Sequence, residues 1–409
     1  MESKQSVVAE EIGLNDVLAK VREAYSPEIA EALRAELAFV ASLSYADISC
    51  CLALILEGPS GTGKSALIEM LYPNEENGQY MRREDRFTAA AFVSNASNVK
   101  KEKLKDVDLL PKIAGKVMLT KELSTLFGND ENTLRGIFGT VTAVLDGKGF
   151  RTASGTQGER GYEGDFRFNW IGATTPIQSR VHNIMANFGC RLLFYECQFP
   201  EPDYEDIYKK MKNASSYAMQ GECNALVNEF ITQHFERYGV KTVHTDDIEI
   251  PKNIFRALFD YARLMTLGRR AVFIEKRNPL PNGESAEEQH FASPPEAPFR
   301  PLEMFRSICI GSALTAKRNF LTADDLAIVR HIAFSSIPAT RRRLLRCLIE
   351  AGGELTSTDV MDKLGCSKPT ALKWMRELAA TELCEFNSEE AGSNKPASIT
   401  LNEQFWFLI

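Results

Sequence analysis

The stretch CCLALILEGPSGTGKSALIEML, residues 50–71, decides the fold. Cys50 to Leu56 form a continuous apolar run, which is typical of a parallel strand that is buried on both faces. A glycine-rich loop follows at once, and Ser65 to Leu71 continue as a helix. A buried strand, a loop and a helix in this order predict an α/β protein built on a parallel sheet.

The loop has the spacing of a phosphate-binding loop, or P-loop. It consists of Gly58, Pro59, Ser60, Gly61, Thr62, Gly63, Lys64 and Ser65. Its glycines let backbone N–H groups converge on phosphates, Lys64 reaches the outer phosphates, and the Ser65 hydroxyl binds Mg²⁺. The loop therefore predicts binding of ATP and Mg²⁺, with a chance glycine-rich turn as the alternative. A P-loop alone does not distinguish kinases, GTPases, transporters and motor ATPases.

Composition and length set broader limits. The 409 residues predict two or three domains, and the net charge of -7 requires any nucleic-acid contact to be local or to come from several copies. The polar, acidic start lacks the features of a secretory signal, and Asp47 interrupts the apolar stretch Ala38 to Leu56. We therefore expect a cytoplasmic protein without a membrane segment. Nine cysteines without a Cys-x-x-Cys pair predict neither a zinc site nor a disulfide framework.

Further along the chain, Phe87 to Val93 predict a second strand, and Lys100 to Ile113 a helix. The next strand ends in Lys121 and Glu122, where P-loop ATPases carry an acidic pair. Glu122 stands where a glutamate polarises the attacking water, and Lys121 stands where an aspartate would hold the Mg²⁺ water shell. An ordinary glutamate at a strand end is the alternative.

Three later positions complete the series: Thr175 at a strand tip, Arg191 just before a strand, and Arg300 at a helix start. In order and spacing, residues 46 to 336 resemble AAA+ ATPases, notably their minichromosome-maintenance and clamp-loader branches. The resemblance implies a parallel-sheet core with a helical lid, in a ring-shaped homo-oligomer such as a hexamer. It makes Thr175 sensor 1, Arg191 the arginine finger for the neighbouring subunit's ATP, and Arg300 sensor 2 at the γ-phosphate. Alone, these residues could be a plain strand end, a surface ion-pair partner and helix-start packing.

Four regions are predicted from the changes in pattern. They are an N-terminal helical segment (1–45), the nucleotide-binding core (46–200), a helical lid (201–336) with a flexible insertion near 276–298, and a C-terminal domain (337–409). Glycine-rich turns between Asp146 and Phe166 predict a hairpin. Its cations are candidates for phosphate contacts in a ring pore, and they are Lys148, Arg151 and Arg160.

The C-terminal domain predicts a winged helix-turn-helix, because three helices precede two strands around a polar loop. Its second paired helix, Lys368 to Ala380, would turn Ala371, Met375 and Leu378 toward the core. The residues that would face DNA are Ser367, Lys368, Thr370, Lys373 and Arg376. From Arg341 onward the chain carries nine basic and ten acidic residues, so this domain alone should bind DNA weakly. A protein-binding winged helix is the alternative.

Two functions fit this pattern. The first is an oligomeric AAA+ ATPase that acts on DNA, like a helicase or a replication initiator, with weak contacts multiplied around the ring. The second is an ATP-dependent switch or regulator whose winged helix binds a protein partner or a specific DNA site, which Lys121 favours. A metabolic P-loop kinase ranks last, because it has no use for a winged helix.

Overall fold

Within residues 11–94, 103–154, 158–198, 203–213, 216–276, 288–388 and 395–409, which the computed structural model describes, the chain forms twelve strands and sixteen α-helices. The strands are β1 (Leu52–Glu57), β2 (Met81–Arg83), β3 (Val117–Thr120), β4 (Gly149–Ser154), β5 (Gly158–Glu163), β6 (Asn169–Thr174), β7 (Leu193–Glu196), β8 (Val272–Lys276), β9 (Glu288–Ala292), β10 (Glu354–Thr356), β11 (Cys384–Asn387) and β12 (Ser398–Leu401).

The helices lie between these strands and flank them. They are α1 (Leu14–Ala24), α2 (Pro27–Ala41), α3 (Lys64–Met70), α4 (Leu104–Val107), α5 (Leu109–Ile113), α6 (Ser124–Phe127), α7 (Glu131–Leu145), α8 (Ser179–Ala186), α9 (Tyr204–Asn213), α10 (Ser216–Tyr238), α11 (Lys252–Gly268), α12 (Phe299–Thr315), α13 (Ala323–Ser335), α14 (Ala339–Glu350), α15 (Ser357–Leu364) and α16 (Lys368–Ala380).

The apolar run before the glycine-rich loop becomes β1, which lies inside a five-stranded sheet with the order β2-β3-β6-β1-β7. Every pairing in this sheet is parallel. All six residues of β1 are buried, because alternate side chains enter two different cores. The predicted α/β class with a parallel sheet is confirmed.

Helices cover both faces of the sheet. Leu52, Leu54 and Leu56 face a core that includes α1, α2, α10 and α12, whereas Ala53 and Ile55 face one that includes α7 and α8. The contact between α2 and α12 is very close, since a Cβ atom at Gly311 would lie 2.0 Å from the carbonyl oxygen of Ala38. The N-terminal helices are therefore an integral part of one layer.

Helix α13 covers the outer edge of β7. The hydroxyl of Ser336 accepts a hydrogen bond from Phe194 N at 3.0 Å, and the hydroxyl of Ser335 accepts one from Glu196 N at 3.0 Å. These bonds satisfy backbone donors that a sheet edge would otherwise leave open.

The last three helices and the sheet β10-β12-β11 share one core. This core also contains Leu264, Leu267 and Phe334 from α11 and α13, so the C-terminal part packs directly on the preceding helices. A buried ion pair joins it to the central sheet: an Arg342 side-chain nitrogen lies 2.6 Å from Glu196 Oε1.

One strand prediction was wrong. The second strand of the sheet is β2, and residues 87–93 instead contain a 3-10 turn, Ala89–Ala91. The ring of Phe87 packs edge-on against Trp170 with 5.4 Å between centroids, which holds this segment over a face of the sheet. The insertion predicted as flexible overlaps the hairpin of β8 and β9, in which Phe273 pairs with Phe291.

The predicted helix from Lys100 to Ile113 is divided in its described part. Asp108 separates the two helices, because α4 ends just before it and α5 begins just after it. The Asp108 carboxylate accepts hydrogen bonds from Ser94 N and the Tyr162 hydroxyl. Parts of the predicted elements lie outside the described residues: residues 1–10, the helix start at Lys100, the hairpin tip at 155–157, residues 277–287, and residues 389–394 of the polar loop between the last two strands. Among the described helices, none combines the length and apolar character needed to cross a membrane.

Candidate functional site

The glycine-rich loop connects β1 to α3 at the carboxyl ends of the parallel strands. Lys64 folds back into the loop, where its Nζ donates hydrogen bonds to Gly58 O at 2.7 Å and Pro59 O at 2.6 Å. The residue is only 7% exposed, and this burial lowers the pKa of its ammonium group. Gly61 and Gly63 have φ angles of 85° and 75°, which favour glycine. The loop thus presents a buried cation among backbone groups.

Neighbouring elements press closely on the loop. A Cβ atom at Gly58 would lie 2.4 Å from the carbonyl oxygen of Cys197, which follows β7. A Cβ atom at Gly63 would lie 2.5 Å from Ile29 Cδ1 on α2. Packing against backbone therefore requires glycine at Gly58, the positive φ angle favours it at Gly63, and α2 packs against the loop.

Glu122 follows β3 at the carboxyl edge of the sheet, which is the side where the parallel strands end. It is exposed, and its Oε1 accepts a hydrogen bond from Ser124 N at 2.7 Å. Its charge acts on Lys64 and partly opposes the lowering of the lysine pKa by burial. The structure therefore brings Lys64, the predicted phosphate ligand, near Glu122, the glutamate predicted to polarise the attacking water.

Lys121 is turned to a different partner. Its Nζ forms an ion pair with Glu69 of α3, and the other carboxylate oxygen of Glu69 accepts a hydrogen bond from Gln220 Nε2 at 2.5 Å. The cation at the place of the expected aspartate is thus neutralised by the helix that carries the loop. This ion pair ties the end of β3 to α3.

The tip of β6 lies beside the loop. Gly58 N donates to Thr174 O at 3.3 Å, and the half-buried Thr175 follows directly. Glu57, the last residue of β1, accepts a hydrogen bond from Ile177 N at 2.8 Å. Burial raises the pKa of the Glu57 carboxyl above its usual value, and the hydrogen bond from Ile177 offsets only part of this rise. Glu57 links the loop strand to the Thr175 turn, and its only sequence signal is an acid at the end of an apolar run.

Arg191 and Arg300 lie at the amino edge of the sheet, which is the side where the parallel strands begin. Both bind Asp146, whose Oδ1 accepts from Arg191 Nε at 3.1 Å and from a terminal Arg300 nitrogen at 2.7 Å. Asp146 follows Leu145, whose carbonyl accepts from Cys51 N at the start of β1. Six strand residues span about 20 Å, so neither arginine reaches the loop of its own chain. The sequence did not identify Asp146, which is simply the residue after a helix.

A magnesium ion on the nucleotide would find few protein ligands. Within the described ranges, no group of three or more His, Cys, Asp or Glu side chains could hold a metal. Ser65 is exposed at the start of α3, and Glu122 stands at the same edge. These residues fit an ion held mainly by phosphate oxygens and water, which is a common arrangement for Mg²⁺.

The predicted cations of the β4–β5 hairpin are largely engaged. Arg151 forms ion pairs with Glu159 and Glu163 across the hairpin. Arg160 donates to Ser94 O at 3.4 Å, and Lys148 is exposed. The hairpin is present as predicted, but its charge is balanced within the strand pair.

The surface of α16 matches its predicted orientation, since Ala371, Met375 and Leu378 are fully buried. Ser367, Lys368 and Lys373 are exposed, and Thr370 and Arg376 are half-buried. The Arg376 guanidinium lies 5.3 Å from the centroid of the Phe386 ring. The β8–β9 hairpin packs beside this helix through β9, so one side of α16 is already occupied.

Comparison with known proteins does not extend this description. No protein-family model matches the chain, and a search of curated proteins found no match.

Proposed function

We propose that the chain is an AAA+ type ATPase that assembles into a ring, such as a hexamer, and acts on DNA as a helicase-like or initiator-like remodeller. The proposal rests on one arrangement. The loop, Lys64 and Glu122 share the carboxyl edge of the sheet, whereas Arg191 and Arg300 share the amino edge. A complete site would therefore combine the loop of one copy with both arginines of the next.

In this proposal each residue has a defined task. The loop N–H groups and Lys64 hold the phosphates, and Glu122 orients the attacking water and receives its proton. The water oxygen bonds to the γ-phosphorus while the bond to the bridging oxygen breaks, which releases ADP. The guanidinium groups of Arg191 and Arg300 of a neighbouring copy stabilise the negative charge on the oxygens of the transferred phosphoryl group. Ser65 and the phosphates would hold Mg²⁺, which neutralises phosphate charge.

Action on DNA is supported by the C-terminal part. Three helices and a small antiparallel sheet fit the pattern of a winged helix, and α16 exposes Ser367 and Lys368 at its N-terminal end and Lys373 at its middle. The balanced charge of this part predicts weak binding by a single copy, which a ring would multiply.

The experiment is steady-state ATP hydrolysis with and without DNA, combined with sizing of the oligomer. We expect DNA to stimulate hydrolysis and Lys64→Ala to abolish it, along with strand displacement on a forked substrate. An oligomer whose hydrolysis does not respond to any DNA would sink the proposed action on DNA.

A second function, an ATP-dependent switch, is favoured by Lys121. Its ion pair with Glu69 leaves Glu122 as the acid at the end of β3, without the aspartate of the usual pair. In a switch, ATP would assemble the copies and turn over very slowly, and α16 would bind a protein partner or a specific DNA site. Glu122→Gln would then scarcely change the activity of the protein, since that activity does not depend on hydrolysis. In the ATPase the same variant would stop turnover and, with it, the activity.

A further inference from the structure

Asp146 accepts hydrogen bonds from both Arg191 and Arg300. Its Oδ1 lies 3.1 Å from Arg191 Nε and 2.7 Å from the nearest Arg300 nitrogen. Another Arg191 nitrogen donates to the carbonyl of Cys190 at 3.3 Å. The Arg191 side chain is 15% exposed, so its donors are directed inward rather than toward a neighbouring molecule.

The segments that carry the two arginines are also joined to each other. Cys190 N donates to Glu296 Oε2 at 2.8 Å, and Glu296 lies just before α12, which contains Arg300. Asp146 ends α7, so three separate elements meet at one carboxylate. A shift of either arginine would therefore disturb the anchor of the other.

We propose that Asp146 is a positioning residue that holds Arg191 and Arg300 back as a linked pair until the phosphates of a nucleotide on a second copy draw both away. This inference rests on the proposed function. A triphosphate carries more negative charge than one carboxylate and accepts bidentate hydrogen bonds from guanidinium groups.

The consequence is that the rate of ATP hydrolysis is kept low at low subunit concentration. Asp146→Asn removes the charge but keeps the shape and should free both arginines. We expect the hydrolysis rate at limiting protein to rise about fivefold, the equivalent of one partly exposed ion pair. Nucleotide affinity of the loop should not change, because Asp146 lies at the other edge of the sheet.

The experiment measures ATP hydrolysis against protein concentration for the full chain, together with binding of a fluorescent ATP analogue. Asp146→Asn and Asp146→Ser should both reach half-maximal rate at lower protein concentration, and Asp146→Glu should behave like the original chain. Asp165→Asn is the matched control, because Asp165 also binds an arginine, Arg167, without contacting Arg191 or Arg300. The double variant D146N/R191A should lose the gain.

An unchanged or reduced rate in both neutral variants would overturn the role of Asp146, provided that thermal unfolding shows them folded. Misfolding of both would overturn it too, since it would make Asp146 a structural anchor. Failure of the proposed function is distinct from these results: the original chain would then hydrolyse no ATP at any concentration.

Discussion

The two edges of the central sheet hold the two halves of the candidate site, and they are built differently. At the carboxyl edge, Lys64 is held by carbonyl groups only five and six residues away. At the amino edge, Asp146, Arg191 and Arg300 meet although as many as 154 residues separate them. A site made from consecutive residues keeps its geometry by local bonds, whereas a site made from distant residues exists only once the chain has folded.

The largest expected effects separate the two edges directly. Lys64→Ala should abolish both nucleotide binding and hydrolysis, because the loop loses its phosphate-binding cation. Arg191→Ala should lower hydrolysis by about a thousandfold and leave binding intact, because the arginine would act only in the transition state. Fluorescent ATP binding and phosphate release measure the two properties. Equal loss of binding in both variants would contradict the division between the edges.

The carboxyl edge is also held by a buried ion pair between residues far apart in sequence, Arg342 and Glu196, which a second variant tests. Arg342→Met should destabilise the fold by about 3 kcal/mol, because it leaves Glu196 with a weaker set of buried partners. Arg342 and Glu196 have side chains only 4% and 6% exposed. The control, Arg151→Met, breaks exposed ion pairs and should cost less than about 1 kcal/mol. Denaturant unfolding compares them, and similar losses would refute the importance of burial.

A pH effect should be smaller. Glu36 on α2 is fully buried, its carboxyl oxygens have no hydrogen-bond partner among the described residues, and burial raises the pKa of this carboxyl well above its usual value. The folded chain therefore keeps a proton that the unfolded chain releases above about pH 4.3, so stability declines as pH rises through that region.

Glu36→Gln should remove this decline, since glutamine stays neutral. We expect a gain of at least about 1 kcal/mol at pH 8 that shrinks toward pH 4. Melting temperatures across this range measure the gain. The exposed Glu31→Gln, on the same helix, serves as the control and should change stability by less than about 0.5 kcal/mol. A gain that does not depend on pH would point to packing instead.

The smallest effect concerns Lys121. Because its Nζ is bound to Glu69, Lys121→Met should leave ATP affinity unchanged and alter stability by less than about 1 kcal/mol. Isothermal titration with ATP provides the test, with Lys64→Met as the opposite extreme. A marked change in affinity would show that Lys121 leaves Glu69 to meet the phosphates.

Much of the fold could be predicted from local pattern. The buried run of β1 predicted a central parallel strand, and the bounds of α16 agree with the predicted helix Lys368 to Ala380. The short strands β2 and β10 escaped prediction, because three residues carry no readable periodicity. The β8–β9 hairpin escaped prediction because prolines at 279, 281, 294 and 295 favoured a flexible insertion there.

The candidate site divides in the same way. The sequence by itself determined the loop, because its shape follows from consecutive residues: Gly61 and Gly63 take left-handed φ angles, and Lys64 bonds to carbonyl groups within the loop. Only the tertiary structure decided that Lys121 would pair with Glu69, and that Asp146 would hold Arg191 and Arg300. The physical reason is that strand order and register bring these charges within a few ångströms, and neither property is written in any short stretch of the chain.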